Sequence, residues 1–291
     1  MLQLASETLR DPPDVAWWKT FITHPQDFPP QPFVRNRLSA DQSDVVHQLL
    51  APAVLAGCTL VRRGPPYDGG YALCLELLSS STSAVYNFGI AGNDANGCEL
   101  ARTVRVPVNQ FDCFNTDVPA CNAGTGGLAR FAPTCVGPES ALRVSADGRQ
   151  RLEYDTMENM IQRNGDTGRQ LLVLMDVEGA EYSVLTTCED AVLSQISQLS
   201  LELHGIDGNA SRTIALLRRL AHFFHVAHVH CNNCCCTEGW EGLACSHVEA
   251  LFVNKRLVST DGHKPLALPV PFIDFPGIPF YRDCPWRGGS L

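Results

Sequence analysis

Three groups of residues in this chain carry chemistry. Asp176, Glu178, Gly179 and Glu181 follow an apolar run at 171–175, and Glu202 and His204 end an expected strand at 198–204. Carboxylate oxygens such as those of Asp176, Glu178 and Glu202 suit a hard divalent cation, so these three form a candidate metal site. Imidazole titrates near pH ~6.5 when unperturbed, which makes His204 the preferred general base, with Asp176 and Glu202 as catalytic partners. The bland alternative is that the acids end strands and cap a helix while His204 bonds a loop. The third group is the glycine turn Gly89-Ile90-Ala91-Gly92, with Asp112 some way beyond it. In a nucleoside-binding βαβ unit, glycines let backbone approach the ligand and a carboxylate after the next strand accepts from ribose hydroxyls.

Such groups act together only if the fold gathers them. The continuous apolar run 171–175 suits a strand buried on both faces. Further strands are expected over 84–92, 104–111, 130–136, 198–204, 226–229 and 247–254. Helices are expected over 96–103, 156–161, from 181 to about 193, and over 211–223. The alternation predicts an α/β fold: a mostly parallel sheet with helices on both faces and an antiparallel edge formed by the last two strands. Asp68-Gly69-Gly70 reads as a hairpin turn. Arg62 and Arg63 beside it either meet an acidic ligand or lie on the surface. Residues 1–57 read as a cover, with Pro12, Pro13, Pro25, Pro29, Pro30 and Pro32 breaking its start and a helix from Ser39 to about Leu55. Residues 58–291 form the main domain, with a cysteine-rich loop at 231–246 and a Pro-rich extended tail at 265–285.

The 291 residues are 45% hydrophobic, enough for a substantial core. A formal net charge of −9 without a long basic run disfavours nucleic-acid or anionic-membrane partners. There is no bilayer-length apolar run, and residues 1–10 lack the pattern of a signal peptide, although such a segment could have been removed. Of thirteen cysteines, Cys58, Cys74, Cys98 and Cys188 have apolar neighbours and read as reduced core thiols. Cys113, Cys121 and those from Cys231 to Cys245 lie in polar stretches, as disulfides or as thiols according to compartment; a secretory lumen fits their number. Cys234, Cys236, Gly239, Trp240, Gly242 and Cys245 match the second half of an EGF-like pattern, which here reads as a local disulfide loop. Zinc bound with His228, His230 or His247 is the other reading of that loop.

The chain resembles class I S-adenosylmethionine-dependent methyltransferases, specifically the FkbM type and its eukaryotic methyltransferase-like relatives. The resemblance rests on Asp68-Gly69-Gly70-Tyr71, Val85-Tyr86-Asn87-Phe88-Gly89-Ile90, Leu174-Met175-Asp176-Val177-Glu178-Gly179-Ala180-Glu181 and Leu201-Glu202-Leu203-His204, within residues 60–258. It implies a Rossmann-like, seven-stranded sheet and S-adenosyl-L-methionine as cofactor. Gly89, Ile90 and Gly92 would then approach the methionine part, Asp112 beside Cys113 the ribose, and Val136 and Gly137 the adenine. Asp176 would lie near the sulfonium. The implied activity is O-methylation of a sugar or other small hydroxylated acceptor, a divalent cation being used by some such enzymes. Asn87 stands where many relatives carry an acid, and the turn has only two glycines. A methyltransferase-like binding protein without turnover is therefore one alternative. An NAD-linked oxidoreductase is another, although it lacks the full Gly-x-Gly-x-x-Gly.

Overall fold

The computed structural model describes residues 34–35, 37–145, 148–238, 243–279, 281, 283–284 and 286. The early prolines, Gly239, Trp240, Gly242, Phe280 and Pro285 lie outside these. β1 (Val34–Arg35) precedes α1 (Ala40–Leu49), which Ser39 opens with a capping box completed by Gln42. This helix stops short of Leu55 because Pro52 cannot continue it, and β2 (Ala53–Ala56) follows. β3 (Leu60–Arg63) and β4 (Tyr71–Cys74) form the expected hairpin, and α2 (Leu75–Ser80) follows it directly. Next come β5 (Ala84–Phe88), α3 (Ala95–Thr103) and β6 (Val108–Phe111). The strand expected over 130–136 divides at Pro133, which has no N–H to give. β7 (Ala129–Ala132) stays in the main sheet, while β8 (Cys135–Val136) joins a small sheet with β9 (Ala141–Val144) and β10 (Arg151–Asp155).

α4 (Met157–Arg163), capped by Thr156, leads to β11 (Leu171–Met175). The helix expected to reach Leu193 breaks into α5 (Glu181–Thr187) and α6 (Asp190–Gln195). β12 (Ile196–Leu203), α7 (Ala210–Phe223), β13 (Phe224–Cys231), β14 (Thr237–Glu238), β15 (Val248–Asn254) and β16 (Ser259–Pro265) complete the order. The main sheet has seven strands, ordered β13-β15-β12-β11-β5-β6-β7. All neighbours are parallel except at β15, which runs against both β12 and β13. The antiparallel strand thus lies one place in from the edge, not at it. β13 and β15 form the expected antiparallel pair at the edge, with β13 outermost, because the chain folds back through the 232–247 excursion to lie between β13 and β12. The strand order reverses between β5 and β11, the point where open α/β sheets hold ligands beyond their carboxyl ends.

Apolar side chains fill both faces of the sheet. Tyr86, Phe88, Val173, Met175, Leu199, Leu201 and Leu203 pack on one side among residues of α1, α4, α5 and α7. Val85, Leu172, Leu174, Leu251 and Val253 pack on the other, under Tyr71 and Leu73 of the hairpin and Leu77, Leu78 and Leu100. This double burial is why β11 reads as a continuous apolar run. The tail covers the hairpin side through turns rather than as an extended strand: Ile273 and Phe275 are buried and Phe272 is exposed.

Cys58–Cys74, Cys98–Cys121, Cys113–Cys135, Cys231–Cys245, Cys234–Cys235 and Cys236–Cys284 are disulfides, leaving Cys188 as a buried thiol. Cys58, Cys74 and Cys98 are therefore not reduced core thiols. Apolar neighbours indicate burial, and half-cystines are buried as readily as thiols. The bridges within 231–246 agree with a local disulfide loop. Such a density of bridges indicates an oxidising environment. No helix among the described residues is long and apolar enough to cross a membrane.

Candidate functional site

The register of the sheet lines up one row of polar residues along its carboxyl end. Glu202 of β12 faces Glu249 of β15, and Glu249 faces His230 of β13. Met175 pairs with Phe88 and with Leu201, so the next residue, Asp176, falls between Gly89 and Glu202. Alternation turns this row toward the hairpin. Gln198, four residues before Glu202 on the same face, accepts the Cys74 N–H at 2.6 Å. Gly89, with φ +81°, keeps the rim open: a Cβ there would lie 1.6 Å from the Asp176 carbonyl oxygen.

His204 sits among four carboxylates. Its Nε2 is 3.4 Å from Asp176, 3.5 Å from Glu178 and 3.8 Å from Glu202, and its Nδ1 is 3.4 Å from Glu181. The buried Glu181 fixes the strand end by accepting the His204 N–H at 2.8 Å and the Gly179 N–H at 2.8 Å. Glu178 side-chain exposure is 86%, so solvent screens its pull. Burial, then Glu202, pushes the Asp176 carboxyl up to about 8. Burial, then Glu249, pushes Glu202 up to about 8 as well. Burial opposes charge on His204, but Glu181, Asp176 and Glu178 outweigh it and raise its pKa. His204 is thus shifted toward its charged form, and the two acids beside it toward their protonated forms. Asp176 Oδ1 is buried with no hydrogen-bond partner. One donor atom each from Asp176, Glu202 and His204 lies within 4.8 Å of the other two, a spacing a single cation could span.

A roof over the row comes from the hairpin and the tail. Burial, then Asp176, Glu202 and Glu249, raises the pKa of the Tyr71 hydroxyl and keeps it protonated. Arg62 is half-buried, with its guanidinium fully engaged within the protein. It donates to the carbonyls of Pro65, Tyr67 and Ile273 and stands over the Phe275 ring, joining hairpin to tail. Arg63 pairs with Glu99 at 3.4 Å. His228 meets Asp274 at 2.7 Å and His230 meets Asp283 at 2.9 Å, so both pin the tail instead of joining the cysteines. His247 alone of the three lies near cysteines, Cys234 and Cys235, and its ring meets His204 edge-on at 5.0 Å.

On the other side of the switch point, Asp112 lies against the glycine turn. Its oxygens accept the N–H groups of Ala91 at 2.7 Å, Phe114 at 2.9 Å and Asn115 at 3.0 Å. A carboxylate has about four acceptor sites, so capacity remains for a hydroxyl. Gly92 packs on the Asn115 side chain. Cys113 is bridged to Cys135, which brings Val136 and Gly137 beside Asp112. A cavity of about 70 Å³ opens near the turn, lined by Asp68, Tyr71, Asn87, Asn93 and Asp94 among others.

Gly89, Ile90, Gly92, Asp112, Cys113, Val136, Gly137, Asp176, Glu202 and His204 thus occupy one end of the sheet. Glu178 is there too, but faces solvent. Three participants escaped the sequence reading. Asp94 places a carboxylate beside Asn87: it accepts from the Asn87 and Gln110 side chains and caps α3 through Gly97. Its signal was a helix-capping Asp seven residues after Asn87. Glu249 is visible only through strand register. Phe114, two residues past Asp112, is 66% exposed, an unusual state for a large aromatic. No protein-family model, curated protein or solved structure matches this chain.

Proposed function

We propose that this chain is an S-adenosyl-L-methionine-dependent methyltransferase acting on a hydroxyl of a sugar or other small acceptor. The observation that carries this reading is the meeting of Gly89, Asp112 and Asp176 at the one reversal of strand order. The small cavity fits only the amino-acid end of the cofactor, whose ammonium group Asp68 and Asp94 complement, since pockets for whole ligands usually exceed about 300 Å³. The nucleoside end would then be held at the open rim, Asp112 offering acceptors to the ribose hydroxyls and the exposed Phe114 ring a stacking face to the adenine. The bound cofactor supplies an activated methyl group and a good leaving group.

The remaining work belongs to this chain. Aligning the acceptor oxygen with the methyl carbon is the main requirement, and the acid row under Tyr71 forms the wall that does so. Asp176, whose buried Oδ1 makes no hydrogen bond and whose pKa lies near the working pH, takes the acceptor proton as a carboxylate and becomes a neutral carboxyl; His204, 3.4 Å away, favours the carboxylate form that must be present beforehand. This moves the base from His204, favoured for the near-neutral titration of a free imidazole, to its neighbour. A divalent cation on Asp176, Glu202 and His204 is a second reading, favoured by their spacing; it would offset the buried negative charge and make the acceptor hydroxyl more acidic.

A ligand-dependent thermal shift tests the proposal. S-adenosylmethionine or S-adenosylhomocysteine should raise the melting temperature and NAD should not. No shift with either adenosyl compound would overturn the proposal. Release of S-adenosylhomocysteine with a panel of glycans and metabolites distinguishes turnover from binding alone.

A further inference from the structure

Asn209-Ala210-Ser211 is the only Asn-x-Ser/Thr sequence in the chain. Such a tripeptide is an acceptor for asparagine-linked oligosaccharide only if the chain passes through an oxidising, secretory compartment and the asparagine is accessible. Both conditions are met on independent grounds. The six disulfides indicate the compartment. Asn209 and Ser211 are exposed, on the loop that leaves His204 and enters α7. The three Asn-x-Cys sequences, at Asn96, Asn232 and Asn233, have buried asparagines and bridged cysteines.

We infer that Asn209 carries an N-linked glycan. The local geometry accommodates it without loss. Asn209 caps α7 through its side-chain oxygen, which accepts the Arg212 N–H at 3.1 Å. The glycan is attached at Nδ2, so the amide oxygen continues to cap the helix. In the transfer, Nδ2 bonds to the anomeric carbon of a lipid-linked oligosaccharide. The carbon–oxygen bond to the lipid pyrophosphate breaks, the pyrophosphate leaves with its electron pair, and a base removes one amide proton. Asn209 ends a loop at the same carboxyl rim as His204, so the sugar would stand beside the mouth of the candidate site.

The test uses protein made from its natural coding sequence in cultured eukaryotic cells and isolated with its disulfides intact. Treatment with peptide-N-glycosidase in heavy-oxygen water should lower the apparent mass and convert Asn209 to labelled Asp in the mapped peptide. Asn209→Asp, which keeps a capping oxygen, and Ser211→Ala, which keeps Asn209, should each abolish the glycosidase-sensitive form. Recovery of the Asn209 peptide unmodified in the disulfide-bonded wild-type protein would overturn the inference. A glycosidase-sensitive form persisting unchanged in both variants would do so as well.

Discussion

At the scale of single residues, the proposed base is set by its neighbours. Asp176 accepts a proton only when ionised, so turnover should rise with pH through a limb near about 8. His204 holds that limb down, because its positive charge favours the Asp176 carboxylate. His204→Gln should therefore shift the limb to higher pH while leaving cofactor affinity intact. Asp176→Asn should lower kcat by about 100-fold or more, the scale of a lost general base. A pH–rate profile for each protein checks both; an unmoved limb in His204→Gln would remove the coupling. Phe114 gives a separate test. Stacking on an exposed aromatic contributes about 1–3 kcal/mol per base. Phe114→Ala should then weaken S-adenosylhomocysteine binding by about 5-fold to 100-fold, measured by calorimetry, with little change in melting temperature without ligand. The sequence pointed to Asp176, Glu202 and His204 because strand-end acids and a histidine stand out. It did not reveal which one holds the proton. That depends on Glu249, 47 residues beyond Glu202 in the numbering and next to it only through strand pairing.

At the scale of elements, legibility follows the range of the contacts. β5, β11 and β12 were readable because both their faces are buried, and α4 and α7 because a capping side chain opens a run of helical periodicity. The hairpin was readable from Asp68-Gly69-Gly70, since turn geometry is local. What covers the site was not, because Arg62 reaches Ile273 across 211 residues and His230 reaches Asp283 across 53. The place of β15 inside the sheet was hidden likewise: antiparallel pairing was legible, but not which neighbour the chain would insert beside. The junction of β5 with β11 yields a prediction of its own. A methyl at Gly89 would lie 1.6 Å from the Asp176 carbonyl oxygen on a backbone with φ +81°. The obstruction is main chain, so the two strand ends must part. Gly89→Ala should cost about 3 kcal/mol or more in denaturant unfolding and abolish cofactor binding. A neutral effect would mean that the strand ends are not in close contact.

For the whole molecule, the buried charges at the site set how stability depends on pH. Unfolded, Asp176 and Glu202 ionise near pH ~4, whereas in the fold each holds its proton to about 8. Between those values the native state binds more protons than the unfolded chain, so stability falls as pH rises. His204 and His230 act in the same direction. Their raised pKa values give stability that is complete below ~6.5 and lost as pH passes the folded values. Asp155 and Asp274 oppose this on the acid side. Burial works against their ionisation, but Ser140 and Asn159 for Asp155, and His228 for Asp274, lower both pKa values. Their contribution disappears as pH falls below ~4. The melting temperature should therefore peak near pH ~5 and decline steadily toward pH ~9. Glu202→Gln replaces a buried carboxyl by a neutral group of similar shape, so its decline should be shallower, with a gain of about 1–2 kcal/mol at the alkaline end. Millimolar magnesium or manganese should raise the wild-type melting temperature more at pH ~9 than at pH ~5, because protons and a cation compete for the same oxygens. A cation effect independent of pH would argue against binding at Asp176, Glu202 and His204. A melting temperature that rises from pH ~5 to ~9 would show that these acids are ionised in the native protein, and the assignment of Asp176 as the poised base would fall with it.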